Sequence, residues 1–261
     1  MNRYDKEVNI INDFHDLKTK EIMLQTEDKK TISILESIYL KRKWKNWVDS
    51  SAKNEPPPDF YNTKEKLMMD VMRIDDHSYV NENGKIINPH NQRESNLLNE
   101  LISKNSSIKA AAEKGHVFIV PRTNLPTDED HNYRFYVDSF NRVIKKHISK
   151  IKKYKDNHPD FDMIFFIADE SSPYIIPYGK KKVRFVGEGV RAELHYFWLD
   201  KNMMSCLKDS NVDYVIWMAP YKHFESEEKV ELPQAIIINL KTFNYDELID
   251  YKDDEMQSLE L

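Results

Sequence analysis

The sequence predicts an α/β fold, a mixed β-sheet flanked by helices with additional helices and strands around it. Short apolar runs of strand length, such as residues 163–168, recur along the chain, and stretches with helical periodicity lie between them. Of the 261 residues 40% are hydrophobic, which is enough to bury a core, and 32% are charged, which is typical of helices with one solvated face.

The first regular element that the pattern predicts is a helix over residues 30–48. Apolar residues in 32–38 recur at the three- and four-residue spacing that places side chains on one helical face. We expect Thr31 or Ser33 to cap the first turn. Residues 50–58 end in three prolines and predict a loop, because proline cannot continue a helix.

Strand signals follow the proline loop. Residues 67–74 form an apolar run of strand length, interrupted by Asp70. The dipeptide Asn83-Gly84 predicts a hairpin turn between Tyr79-Val80 and Ile86-Ile87. By the same criteria, helices are predicted at 93–114 and 133–156, and buried strands at 116–121, 163–168, 212–218 and 235–240.

The chain divides into an N-terminal extension (1–29), a single α/β domain (30–245) and an acidic C-terminal tail (246–261) that we expect to fray. The single cysteine, Cys206, excludes an intramolecular disulfide and zinc sites built from several cysteines. No apolar run approaches the roughly 18 to 20 residues of a membrane span, and no secretory signal is visible. We therefore expect a cytoplasmic protein that does not bind membranes.

The formal net charge of −5 argues against a general nucleic-acid coat protein, which is normally basic. Basic residues cluster instead in local patches at 41–45, 145–155 and 180–184. Such charge runs are most often solvated helix faces, so binding is the less common interpretation. If DNA or RNA is the partner, we expect the helix at 133–156 to contact its backbone through Lys145, Lys146, Lys152 and Lys153.

The strongest candidate site lies in residues 57–73, which read P-P-D-F-Y-N-T-K-E-K-L-M-M-D-V-M-R. Asp59 follows the prolines, and Asp70 lies eleven positions later inside an apolar run. Burying Asp70 there is costly without a partner, so a metal, an arginine or a second acid sharing a proton should accompany it. Two acids from adjacent strands suit Mg²⁺ or Mn²⁺, which prefer oxygen ligands. For Asp59 the alternative is a turn or cap residue.

This stretch resembles the signature of the PD-(D/E)XK, or restriction-endonuclease-like, nucleases. Pro58-Asp59 matches the proline–aspartate pair that opens the site, and Asp70-Val71 matches the second acid and its spacer. Met72 stands where the family pattern has a lysine. The resemblance covers roughly residues 30–170, where a helix, strands around the acids, a helix and a buried strand follow one another in the order of that fold.

The resemblance implies a restriction-endonuclease-like fold with a metal site at Asp59 and Asp70, to which the carbonyl of Val71 would add an oxygen. It implies catalytic roles for Asp59, Asp70 and Glu36, the last resembling an acid that many members place beside the metal. The cofactor would be Mg²⁺ or Mn²⁺ and the substrate DNA or RNA, in defence or repair. For Glu36 the alternative is a glutamate that faces water.

The missing lysine leaves two functions open, since Met72 can neither position a water molecule nor stabilise negative charge. Either a lysine from another element, such as Lys64, Lys66 or Lys146, supplies the cation, or the site is inactive. An inactive relative would bind nucleic acid, a protein partner or a second copy of itself, for instance in a defence system. We expect weak or absent cleavage by the chain alone. Arg73 is adjacent to Met72 but points to the other face of the strand.

Two other acidic groups are weaker candidates. Asp75-Asp76-His77 has the residue types of a metal site, although a solvated loop is the commoner explanation. Asp169-Glu170 ends a predicted strand, where ligand sites gather in α/β sheets, with a plain polar loop as the alternative. The sequence has no glycine-rich phosphate loop, G-x-S-x-G or H-E-x-x-H, which argues against nucleotide-triphosphate and serine hydrolases. An α/β interaction protein with structural acids also remains open.

Overall fold

The computed structural model describes residues 7–50, 58–104, 131–178, 192–225 and 230–259. These residues form a seven-stranded mixed sheet flanked by helices, which confirms the predicted α/β class. Among them, no helix combines the length and the apolar character that crossing a membrane requires. The α-helices of these ranges are α1 (Glu7–Asp16), α2 (Lys29–Tyr39), α3 (Lys41–Trp44), α4 (Pro89–Lys104), α5 (Tyr133–Ile148), α6 (Ile151–Asn157) and α7 (Lys201–Met204).

The strands are β1 (Ile22–Leu24), β2 (Val48–Asp49), β3 (Phe60–Asn62), β4 (Leu67–Ile74), β5 (Tyr79–Val80), β6 (Ile86–Ile87), β7 (Asp162–Asp169), β8 (Tyr174–Pro177), β9 (Ala192–Leu194), β10 (Tyr214–Met218), β11 (Phe224–Glu225), β12 (Val230–Leu232), β13 (Ala235–Asn239) and β14 (Gln257–Ser258). The central sheet has the order β1-β13-β10-β7-β4-β3-β2. Within it β10, β7 and β4 are parallel, whereas β2, β3 and β4 form an antiparallel meander.

Both faces of the central sheet are covered. Side chains alternate along β7, so Phe165 faces a core cluster that includes Phe140 of α5, while Phe166 faces a second cluster with Phe14 of α1. Phe14 and Phe166 meet edge to face, with ring centroids 5.3 Å apart. This two-sided burial explains why β7 is a continuous apolar run without polar alternation.

The helix predicted at 30–48 is shorter in the structure and starts from a different cap. Asp28 is the cap: one of its carboxylate oxygens accepts hydrogen bonds from the backbone N–H groups of Lys30 and Thr31, each 2.9 Å long. The hydroxyl of Thr31 donates to the other oxygen, so it supports Asp28 and does not cap the helix itself. The helix ends at Tyr39, and α3 and β2 follow within the predicted range.

The helix predicted at 133–156 is two helices, α5 and α6, with a turn between them. Lys150 N–H donates to the carbonyl of His147 three residues earlier, which tightens the backbone at the end of α5. The hydroxyl of Ser149 donates to the carbonyl of Lys146, a local bond of the kind that competes with regular helix. The break lets α6 present its side chains to the sheet at a new angle.

The ends of the chain pack against the rest of the molecule. The segment assigned to an N-terminal extension supplies strand β1 and the fully buried Phe14. The prediction of a fraying tail is wrong for residues 246–259, because Tyr251 is buried and β14 pairs with β8. The strand predicted at 116–121, the basic patch at 180–184 and the end of the helix predicted at 93–114 lie outside the described residues.

Candidate functional site

A cleft of about 370 Å³ opens where the β3–β4 edge of the central sheet meets α1 and α5. It combines acidic side chains on one side with basic side chains on the other. The acids are Glu7, Asp59 and Asp70, and the bases nearest them on the helical wall are Arg142, Lys146 and Lys150. Such a combination can hold a cation and a phosphate at the same time.

The pairing of β3 with β4 brings Asp59 and Asp70 together. Phe60 is opposite Met69 in this antiparallel ladder, so continuing the register by one residue places Asp59 opposite Asp70. Oδ2 of Asp59 accepts a hydrogen bond of 2.7 Å from the backbone N–H of Val71. Ser50 holds the approach to β3, since its N–H donates to the carbonyl of Asp59. The bonds from Ser50 and Val71 therefore hold Asp59 beside Asp70.

Asp70 is buried and is positioned by the helical layer. Nδ1 of His147, on α5, lies 2.5 Å from Oδ2 of Asp70, and the hydroxyl of Tyr154, on α6, donates to the same oxygen at 3.3 Å. Burial and the nearby charge of Asp70 raise the pKa of Tyr154, so its hydroxyl remains a donor. Asp70 also forms a side-chain hydrogen bond with Asp59.

The two carboxyls repel each other when both are ionised. Burial and the negative charge of Asp70 raise the pKa of Asp59 to about 8, against the opposing effect of the hydrogen bond from Val71. Asp59 therefore keeps its proton near neutral pH, beside the carboxyl of Asp70. A divalent cation placed between them would replace that proton and offset the repulsion, so the residues present fit Mg²⁺ or Mn²⁺.

The basic wall comes from one face of α5 and the turn after it. Arg142, Lys146 and Lys150 are spaced by four residues, the interval that places side chains on the same side of a helix. Of the four lysines predicted to bind nucleic acid, Lys146 lines the cleft. Lys145, Lys152 and Lys153 are exposed but do not line it. Sequence reasoning missed Arg142 and Lys150, although the four-residue spacing was visible.

Three lysines were predicted as possible replacements for the lysine of the family pattern, and one of them lines the cleft. Met72 is buried, and its neighbour Arg73 pairs with Glu170, with 2.6 Å between Nη2 and Oε2. Lys66 pairs with Asp160 at the opposite end of β4, 3.7 Å away. Lys146 is thus the member of the predicted set Lys64, Lys66 and Lys146 that lines the cleft among the described residues.

Glu36, a predicted catalytic residue, is not brought to the cleft. It lies on the solvent side of α2 and pairs with Lys43, with 2.6 Å between Nζ and Oε2. The core side of α2 is occupied by Ile34 and Ile38, which are buried. Glu7 of α1 lines the cleft in its place. It was missed because it lies in the segment assigned to an extension.

Asp169, the second candidate from the sequence, belongs to a buried network. Its Oδ2 accepts from the hydroxyl of Tyr136 at 2.6 Å, from Nε1 of Trp217 at 2.9 Å and from Nζ of Lys222 at 2.9 Å. The Lys222 ammonium also lies 3.8 Å from the centre of the Tyr136 ring. Burial lowers the pKa of Lys222, and the charge of Asp169 opposes this. The network compensates its own charge.

The loop Asp75-Asp76-His77 is not a solvated loop at its central residue, because Asp76 is fully buried. Burial alone would raise the pKa of Asp76, but hydrogen bonds and the charge of His131 outweigh it and lower the pKa to about 2. His131 Nδ1 lies 3.1 Å from Oδ1 of Asp76, and His77 and His131 stack edge to face. Three residues of types that bind metals therefore meet at the end of β4.

Comparisons of this chain with protein-family models, with curated proteins and with solved structures found no match. The chemistry of the cleft is therefore inferred from its own side chains and from the order of the elements that carry them.

Proposed function

We propose that the chain is a metal-dependent nuclease of PD-(D/E)XK type, whose cleft binds a divalent cation and the phosphodiester backbone of DNA or RNA. The observation that carries this proposal is the pairing of Asp59 with Asp70 in a cleft whose helical wall presents Arg142, Lys146 and Lys150. The two acids suit a divalent cation, and the three basic side chains suit the negative charge of a phosphodiester bound to that cation.

The order of elements around the cleft supports the proposal. Helix α2 precedes the antiparallel strands β2, β3 and β4, and α5 then leads to β7, which runs parallel to β4. This is the succession of helix, strands around the acids, helix and buried strand that the sequence resemblance implied. Asp59 immediately precedes β3 and Asp70 lies in the middle of β4.

Each side chain of the cleft has a role in this proposal. Asp59 and Asp70 hold the cation, and His147 and Tyr154 orient Asp70 for it. When bound, Mg²⁺ or Mn²⁺ supplies charge neutralisation at the phosphate and lowers the pKa of a coordinated water molecule. Arg142 and Lys150 contact phosphates beside the reacting one.

Lys146 takes the role of the lysine that Met72 replaces. Its ammonium extends from α5 into the cleft that contains both acids, where it can stabilise negative charge on the reacting phosphate. The expectation of weak or absent cleavage depended on the apolar side chain at position 72. A lysine from α5 removes the reason for that expectation, and we therefore propose an active enzyme.

Cleavage of double-stranded DNA, single-stranded DNA and RNA, with Mg²⁺, Mn²⁺ or EDTA, tests the proposal. We expect Lys146→Met to reduce cleavage by about 100-fold or more, the usual effect of removing one preorganised charge-stabilising group. Asp70→Asn should abolish metal-dependent cleavage. The matched control is Lys201→Met, which removes an exposed lysine of α7 that does not line the cleft and should leave cleavage unchanged. Metal-dependent cleavage that survives both Asp70→Asn and Lys146→Met would overturn the assignment.

A second candidate function is binding without catalysis, and one observation favours it. Val71 N–H occupies one oxygen of Asp59, and His147 with Tyr154 occupies one oxygen of Asp70, so fewer oxygens remain for a cation. A binding module would show no cleavage under any metal but an affinity for DNA or RNA that falls steeply with salt. Binding that is absent at low salt would instead favour an interaction protein whose acids are structural.

A further inference from the structure

We propose that Asp76, His77 and His131 form a second metal site, one that binds Zn²⁺. One ligand atom of each residue, a carboxylate oxygen or an imidazole nitrogen, lies within 4.8 Å of the corresponding atoms of the other two. The three residues come from two parts of the chain that are far apart in sequence, the loop after β4 and the residues just before α5. The fold therefore assembles the cluster, and it does not arise from a local acidic run.

The carboxylate of this cluster is held in place by its neighbours. Oδ2 of Asp76 accepts hydrogen bonds from the backbone N–H of Ser172 at 3.0 Å, from the Ser172 hydroxyl, and from the hydroxyl of Tyr174 at 2.7 Å. Three donors on Oδ2 leave Oδ1 directed at His131, whose Nδ1 is 3.1 Å away. Partners of this kind orient a ligating carboxylate in metal sites.

The histidines complete the set from the other side. The rings of His77 and His131 lie edge to face, with centroids 4.6 Å apart, so nitrogens of both rings can turn to one point beside Asp76. The side chain of His131 is 11% exposed and that of Asp76 is not exposed at all. A cation at this point would be largely shielded from bulk water.

The ligand chemistry selects the metal. Two imidazole nitrogens and one carboxylate oxygen suit Zn²⁺, which takes four ligands in tetrahedral geometry, whereas Mg²⁺ prefers oxygen ligands alone. Three protein ligands leave a fourth position for water. The Asp59–Asp70 pair offers only oxygen from its side chains, so the two sites select different metals.

The second site lies far from the cleft, beside the other ends of α5 and β4, which both carry residues of the cleft. Tyr133 and His147 are at opposite ends of α5, which spans about 20 Å at 1.5 Å per residue. His131 precedes α5 by two residues, and Asp76 follows β4 by two residues. Zn²⁺ bound here ties the start of α5 to the end of β4, the helix and the strand that carry Lys146 and Asp70.

Zn²⁺ binding to the full chain, stripped with EDTA, tests this proposal. We expect one equivalent of Zn²⁺ by competition with a chelating dye, and Co²⁺ in its place should give the visible absorption of tetrahedral coordination. The titration is run on the wild type and on an Asp59→Asn, Asp70→Asn variant, which removes the acids of the cleft. Binding retained in that variant shows that the site is independent of the proposed nuclease centre.

The variant His77→Gln should lose Zn²⁺ binding, and Tyr174→Phe should weaken it by about 10- to 100-fold, as expected for a residue that positions a ligand. His158→Gln is the matched control, because His158 lies at the end of α6 and packs on Tyr61 and Phe161 outside the cluster. Far-ultraviolet circular dichroism confirms that each variant is folded. Wild type without stoichiometric Zn²⁺, or His77→Gln with unchanged affinity, would overturn the proposal.

Discussion

Two groups of buried acids differ in how their charge is compensated. Asp169 is surrounded by donors of the protein itself, among them the ammonium of Lys222 at 2.9 Å. Asp59 has one backbone N–H and faces a second carboxyl, and the pKa of Asp59 is raised to about 8. Burial is common to both regions, so burial alone does not mark a functional acid. Among the described residues neither Asp59 nor Asp70 forms an ion pair with a lysine or an arginine, so this carboxyl pair is the one suited to bind a cation.

Tyrosine hydroxyls also have different roles in the two regions. Tyr136 donates to Asp169 and also lies under the Lys222 ammonium, so it serves a closed network. Tyr154 donates to Asp70, which lines an open cleft beside Asp59. The same interaction is structural in the first region and orients a proposed ligand in the second.

The largest expected effect comes from breaking the closed network. Lys222→Met leaves the charge of Asp169 buried without its cation, which should lower the free energy of unfolding by about 3–5 kcal/mol in urea denaturation. Lys241→Met is the control, because Lys241 pairs with Asp162 and Asp213 near the surface and should cost about 0–1 kcal/mol. Equal effects of the two changes would show that the Lys222 pair is no more essential than a surface pair.

An effect of opposite sign, smaller for each pH unit, is expected at Asp59. Between about pH 4 and pH 8 the folded protein holds a proton on Asp59 that the unfolded chain, with an ordinary pKa of 3.8, has released. Stability contributed by this group therefore falls as the pH rises through that window, by about 1.4 kcal/mol per pH unit at most. Asp59→Asn carries no charge, so in EDTA its melting temperature should exceed that of the wild type increasingly toward pH 8.

Melting curves at about pH 4.5 and pH 8.5 check this prediction, since the window is set by the raised pKa. Asp250→Asn is a suitable control, because Asp250 is a surface acid whose pKa is lowered by Lys252 and not raised. If the difference between Asp59→Asn and the wild type is the same at both pH values, Asp59 does not hold a proton in the folded protein.

The smallest effect distinguishes two glutamates. Glu7→Gln removes a negative charge that lines the cleft and should weaken Mg²⁺ binding by a few-fold. Glu36→Gln removes a charge that pairs with Lys43 in solvent and should leave the affinity for Mg²⁺ unchanged. Calorimetric titration of both variants compares them directly. A loss confined to Glu36→Gln would restore the assignment made from the sequence.

The sequence predicted most of the sheet because its central strands are buried on both faces. β4, β7, β10 and β13 are apolar runs whose side chains fill two core clusters, so the pattern is visible without tertiary information. The cap of α2 and the break between α5 and α6 were not predicted. Each depends on the hydrogen bonds of one side chain, Asp28 for the cap and Ser149 for the break.

The candidate site could be predicted only in part. Asp59 and Asp70 were identified from a short motif, since the cost of an acid in an apolar strand is a local signal. Glu7 reaches the cleft through packing between distant elements, which no local pattern encodes, whereas the four-residue spacing of Arg142, Lys146 and Lys150 is a local signal that does not say which element the helix faces. The burial of Asp76 likewise depends on Ser172 and Tyr174, nearly one hundred residues away in the sequence.

We propose that a divalent cation bound between Asp59 and Asp70 replaces the proton that Asp59 holds. Calorimetric titration with Mg²⁺ near pH 7, in two buffers of different ionisation enthalpy, measures the protons released on binding. A pKa of about 8 for Asp59 predicts release of about one proton per Mg²⁺ in the wild type and none in Asp59→Asn. Mg²⁺ binding without proton release, or the same release in Asp59→Asn, would contradict the claim.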